Sequence, residues 1–323
     1  MKMIDLHCDT IIKLLFNKEK GMLLKNDFHV DINKLEEANS FVQFFAIFAH
    51  PNFCLKDGVN ATNQHELVIE MHERFLEELE YSKNKIGLVR NFEDIALNEN
   101  NNTLSALLTI EGADSINGKI ERIQEYYDMG IRLITLTWNF VNSLGYPNLP
   151  SENMNKGLTD FGIKAIKKMN ELGIIIDVSH LSDGGFWDVV KYSSKPFVAS
   201  HSNSRHLSPH HRNLTDEMIL AIANAKGVIG INYCPAFLTD DLESKEMTIL
   251  DLVKHINYIK KVGGIDCISL GSDFDGISGK LEIENVGQSE KLLNVLKSHG
   301  YTREEIAKIW YKNALRVMEN VLN

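Results

Sequence analysis

Eight short apolar runs, rich in β-branched and aromatic residues, recur along this 323-residue chain, each followed by a loop or a helical pattern. They cover 3–8, 41–49, 104–110, 131–137, 174–179, 196–200, 228–233 and 267–271. Apolar residues at helical spacing lie between them, over 66–81, 116–129, 160–172, 183–191, 216–225 and 249–262, and 289–298 and 303–321 close the chain. Strands alternating with helices argue for a parallel sheet. Eight of them predict a closed α/β barrel of the (β/α)8 TIM type rather than an open doubly wound sheet, and a barrel uses the span 1–323 as one domain. No glycine-rich phosphate loop follows any run, which weakens a nucleotide-binding alternative.

Helix ends carry capping logic. Thr159-Asp160 opens one helix and Gly173 closes it. Thr215-Asp216-Glu217 opens another, with Gly227 after it, and Thr302 with Glu305 forms a capping box. The stretch 98–102 reads as an exposed loop.

Hydrophobic residues make up 44% of the chain and charged ones 24%, as in soluble globular proteins. The formal net charge of −10 argues against a nucleic-acid or membrane-surface partner. Cys8, Cys54, Cys234 and Cys267 have no CxxC spacing, so neither a zinc knuckle nor a disulfide framework is expected. No secretory signal, membrane span or lipid-anchor signal is read, and a cytoplasmic location is expected.

Polar residues able to bind metal or titrate sit at the C-terminal ends of these runs, the face on which barrels of this kind build active sites. His7 and Asp9 end the first run at a spacing of two, so in an extended chain they share a face while Cys8 points away. Glu111 ends the third, His180 the fifth, His201 the sixth and Asp273 the eighth. Five candidate ligands, His7, Asp9, Glu111, His180 and His201, exceed the three of a mononuclear catalytic zinc. A carboxylate can bridge two metals, and Glu111 is the natural bridge, with His7 and Asp9 for one ion and His180 and His201 for the other. The mixture of nitrogen and oxygen ligands favours zinc, while manganese, iron and cobalt also fit.

These residues resemble the membrane dipeptidase (renal dipeptidase) family, peptidase family M19. The motifs are Asp-x-His-x-Asp at 5–9, Glu-Gly-Ala at 111–113, Asp-Val-Ser-His at 177–180, Ser-His-Ser-Asn at 200–203, Arg-Asn-Leu-Thr-Asp at 212–216 and Gly-Ser-Asp-Phe-Asp-Gly at 271–276. The resemblance runs from Ile4 to Val317. It implies a (β/α)8 barrel with two zinc ions bridged by Glu111, hydrolysis of dipeptides including those with a C-terminal D-residue, and homodimers. It puts the substrate-carboxylate Arg at Arg212 and the proton-handling Asp at Asp273. The family's substrate-contacting His after strand four is absent, since this chain reads Trp138-Asn139. Asn139 is expected to donate a substrate hydrogen bond in its place, or Trp138 to wall the pocket. The membrane association in the family's name is not expected to carry over.

Two rival readings stand beside a dipeptidase. A lactonase, phosphotriesterase or deaminase of the same barrel class often bridges its metals with a carboxylated Lys on strand four, and the run 131–137 has no Lys. A catalytically dead metal-dependent binding protein has no need of a proton shuttle at Asp273.

Overall fold

The computed structural model describes residues 1–56 and 58–322; Asp57 and Asn323, within the expected 1–323 span, lie outside the described residues. Eight parallel strands, each overlapping one expected run, form the barrel. In chain order they are β1 (Met3–Asp5), β2 (Ser40–Phe48), β3 (Leu104–Glu111), β4 (Ile131–Thr135), β5 (Ile175–Asp177), β6 (Val198–Ala199), β7 (Val228–Ile231) and β8 (Ile268–Leu270). Each pairs with the next, and β8 returns to β1 through Leu270 and Asp5, so the sheet closes. A strand outside the expected eight, Ile86–Leu88, pairs with the start of β3, beginning with Ile86 against Leu104. It occupies the edge of β3 that β4 reaches only from Leu108 onward.

Side chains near the strand starts, among them Ile4, Val42, Leu133, Ile175, Val198 and Val228, meet inside the barrel. Ala314, Val317, Met318 and Val321 of the last helix (Asn313–Val321) pack against them. The N-terminal mouth is thus plugged with apolar side chains, and the opposite mouth is left to polar chemistry. The expected helix 303–321 is continuous but contains one π-helical stretch, Lys308–Lys312, whose Trp310 is buried.

The expected caps at Thr159, Thr215 and Thr302 all accept from the backbone three residues on, and Gly173 takes the left-handed conformation at φ 80°. Gly227 does not close its helix that way. Lys226 adopts the left-handed turn at φ 57°. Gly227 is instead required by space, because a Cβ there would lie 2.0 Å from the Phe197 carbonyl oxygen. The expected loop at 98–102 is also corrected. Asn98 and Asn100 belong to the helix Phe92–Asn100, and Asn98 is buried, donating from Nδ2 to Gly87 O and Ser105 Oγ. No helix among the described residues is long and apolar enough to cross a membrane.

Candidate metal centre

The C-terminal strand ends bring the five expected ligands and Asp273 together, all buried. Glu111 ends β3 on the same face as Leu107, which packs inside the barrel. Its two oxygens face different partners. Oε1 lies 2.9 Å from His180 Nε2 and 3.5 Å from His201 Nε2, whereas Oε2 lies 3.7 Å from His7 Nε2. Asp9 Oδ2 is 3.2 Å from His7 Nε2, and Asp273 Oδ1 is 3.8 Å from it. Cys8 points away from the cluster, as its parity requires, and its Sγ donates to Phe44 O.

Three groups of potential ligand atoms result, each with all atoms within 4.8 Å of one another: His7, Asp9 and Glu111; Glu111, His180 and His201; and His7, His201 and Asp273. The first two groups share Glu111. His180 Nε2 and His201 Nε2 face each other at 3.1 Å, and His7 Nδ1 and Asp9 Oδ1 have no hydrogen-bond partner among the described residues. A His–His contact can share at most one proton, and with three carboxylates beside it the cluster holds a dense set of nitrogen and oxygen donors that suits a bound cation.

The electrostatics agree. Burial, then the neighbouring Asp9, raises the Glu111 carboxyl well above its ordinary range. Burial alone would lower His7, yet Asp9 and Glu111 together push it up to about 10. The carboxylates therefore demand positive charge where His7 Nε2 points. Burial, with Arg212 and His7 adding to it, holds His180 and His201 well below the usual imidazole range. That favours the neutral imidazole, the form that binds metal. Asp273 is pushed up to about 6 by burial, against the opposing effect of His7.

The cluster rests on hydrogen bonds that no sequence motif announces. Asp177, at the end of β5, accepts from the backbone N–H groups of Ser179 (3.0 Å) and Ser200 (2.8 Å) and from the hydroxyls of Thr135 and Ser200 (both 2.6 Å). Asp5, at the end of β1, grips Ser272 in the same way, accepting from its N–H at 2.8 Å and its hydroxyl at 2.6 Å. Ser200 immediately precedes His201, and Ser272 immediately precedes Asp273. Asp273 and His180 both hold left-handed backbone conformations, at φ 63° and 68°. Such conformations cost on the order of 1–3 kcal/mol each, so they persist only where their surroundings fix them. Asn232, after β7, donates from Nδ2 to Asp273 Oδ2 at 2.9 Å. Gly276 closes against the same carboxylates, since a Cβ there would lie 2.1 Å from Asp9 Oδ2. Asp5 and Asp177 belong to the motifs above; for Asn232 the sequence offers only a polar residue at the end of an otherwise buried strand.

A cavity of about 650 Å³ opens over the cluster, the size of a small-molecule site. Asp9, Glu111, His180, Asp273 and Arg212 line it. Arg212 is not a surface cation: it is 4% exposed, its Nη2 donates to His201 O, and its Nε and Nη1 have no partner among the described residues. Its loop is anchored by Arg205, which forms a two-point ion pair with Asp183. Phe48 and Trp138 wall the β2–β4 side, with ring centroids 4.8 Å apart. Asn139 stands beside His180, with its Oδ1 3.0 Å from His180 Nδ1.

A (β/α)8 barrel with a buried histidine–carboxylate cluster at its C-terminal mouth is the architecture of a metal-dependent hydrolase. Residues 1–323 match the family model described as membrane dipeptidase (Peptidase family M19). The chain is 36% identical over 248 residues to an uncharacterised protein in the pqqA 5′ region of Klebsiella pneumoniae, covering 75% of this chain and 91% of that one. It is 30% identical over 331 residues to an uncharacterised dipeptidase of Schizosaccharomyces pombe, covering 98% and 79%. Among solved structures it superposes on dipeptidase AC, a family M19 metallopeptidase, with a TM-score of 0.90 at 25% identity over 100% of this chain and 99% of that one. A Rhodobacter sphaeroides metallopeptidase, liganded with a phosphinate mimic of L-Ala-D-Ala, shares the fold at a TM-score of 0.90, 23% identity and 99% coverage of both chains. The chain belongs to the membrane dipeptidase family, peptidase family M19, and is a metal-dependent dipeptidase.

Proposed function

We propose that this dipeptidase cleaves its substrates at a two-metal centre, with His7 and Asp9 holding one ion, His180 and His201 the other, and Glu111 bridging. The observation that carries this reading is the division of Glu111, whose Oε1 faces His180 and His201 while Oε2 faces His7. Zinc suits the nitrogen and oxygen donors best. When bound, such a pair polarises an amide carbonyl and lowers the pKa of water so that hydroxide is available near neutral pH.

The protein's own groups do the rest. Asp273 accepts a proton from the attacking water and returns it to the departing amide nitrogen, so that the amine leaves neutral. Arg212 offers its free N–H donors to the substrate's C-terminal carboxylate, a charge-assisted contact in a buried site. Arg212 follows β6, whereas Phe48 and Trp138 stand across the mouth on β2 and after β4. A dipeptide anchored by its carboxylate thus places its N-terminal side chain against that apolar wall. A carboxylate clamp beside the cluster selects short substrates, and the L-Ala-D-Ala mimic bound by the Rhodobacter sphaeroides relative supports including those with a C-terminal D-residue.

The test is a panel of L,L- and L,D-dipeptides assayed before and after chelation. Hydrolysis should vanish with the metal and return on adding Zn²⁺ alone. Full activity in the chelated protein would refute the metal mechanism. Metal binding without hydrolysis of any dipeptide would identify a binding protein.

A further inference from the structure

Asp177 is fully buried at the end of β5 and accepts four hydrogen bonds, yet the chemistry above gives it no task. We propose that Asp177, acting through Ser200, is a positioning residue that selects the tautomer in which His201 can bind a metal. The inference rests on the reading of His201 as a ligand.

The argument follows single protons. A carboxylate has only acceptors to offer, and all four groups around Asp177 are donors. The one hydroxyl hydrogen of Ser200 therefore points to Asp177 Oδ2, 2.6 Å away. Ser200 Oγ also lies 2.7 Å from His201 Nδ1 and, its hydrogen committed, can only accept from that nitrogen. The proton of the neutral imidazole is thereby held on Nδ1, and Nε2 turns a bare lone pair into the cluster. The competing tautomer is available, because a proton on Nε2 would find Glu111 Oε1 at 3.5 Å. The relay decides between the two. His180 makes the same choice directly, with Nδ1 facing the Asn139 amide oxygen.

Asp177→Asn tests this with little change of shape. The amide oxygen can keep the two backbone N–H groups, which turns the NH2 toward Thr135 and Ser200. Ser200 then receives a hydrogen from Asn and gives its own to His201 Nδ1, driving the imidazole proton onto Nε2. Ser200→Ala merely breaks the relay and leaves both tautomers open.

The measurement is ¹⁵N NMR of the full chain, histidine-labelled and metal-free, with the His201 signals assigned by their loss in His201→Gln. Zn²⁺ affinity is measured alongside by competition with a chromophoric chelator. The expected results are an Nδ1–H imidazole in the wild type, an Nε2–H imidazole in Asp177→Asn, and a mixture in Ser200→Ala. Affinity at one position should fall on the order of 10–100-fold, more in Asp177→Asn than in Ser200→Ala. An Nε2–H tautomer in the wild type would overturn the proposal, as would an unchanged tautomer or equal affinity losses in the two variants. If Asp177→Asn fails to fold, the wild-type and Ser200→Ala spectra still decide. A His201→Gln variant that binds zinc like the wild type would instead overturn the ligand reading, whatever the tautomer.

Discussion

Asp273→Asn is expected to keep the fold and the metals while kcat falls on the order of 10²–10⁴. That is about 3–5 kcal/mol of transition-state stabilisation from one titratable group. Asp273 Oδ2 is held by Asn232 Nδ2 at 2.9 Å, and Oδ1 turns toward His7 at the cavity. Asn keeps an oxygen for Asn232 and so preserves the shape of the site, but it cannot take the proton of the attacking water. An interaction made mainly in the transition state depresses kcat more than it raises KM. A proton acceptor must be ionised, so wild-type turnover falls as pH drops below its pKa, and that acid limb should disappear from the residual activity of the variant. Two metals with near-normal turnover would send the proton elsewhere. Loss of a metal would make Asp273 a ligand, a role its group with His7 and His201 permits geometrically.

Arg212→Lys should lower kcat/KM by the equivalent of about 1.5–3 kcal/mol, because it loses charge-assisted hydrogen bonds to the substrate carboxylate in a buried site. Lysine carries the charge but not the planar array of N–H donors that matches a carboxylate. The corresponding dipeptide amide, lacking that carboxylate, should already be a poor substrate for the wild type, and the substitution should cost it little more. The comparison separates a clamp from a packing role, since a misfolded loop would slow both substrates alike. Equal turnover of acid and amide forms by the wild-type enzyme would refute the clamp.

Much of this architecture is legible in the amino-acid order alone. Each of the eight apolar runs overlaps a barrel strand, and the residues at their ends converge. Strand period and barrel polarity dictate that convergence. Other features carry weaker local signals. Ile86–Leu88 is three residues long with a central glycine, too short for any periodicity to register. Asn98 sits in a loop-like composition, but its amide finds buried partners on Gly87 and Ser105, and that tertiary bonding overrides a modest helix propensity. The apolar face of the last helix gives no hint that it plugs the barrel mouth. The contact of Asn139 with His180, 41 residues away, lies beyond any spacing rule. Asp5 and Asp177 are visible within the motifs. Their grip on Ser272 and Ser200 depends on which strands become neighbours: barrel closure sets β8 beside β1, and the pairing of β5 with β6 sets Ser200 beside Asp177.

The central claim is that Glu111 joins two metal positions, and metal counting in Glu111→Gln tests it most directly. Reconstituted wild-type protein should hold about two divalent ions per chain. Gln keeps the size of Glu but has one carbonyl oxygen and no charge, so the variant should lose at least one ion and nearly all dipeptide hydrolysis. One tightly bound ion in the wild type, with the same content in Glu111→Gln, would contradict the two-metal account.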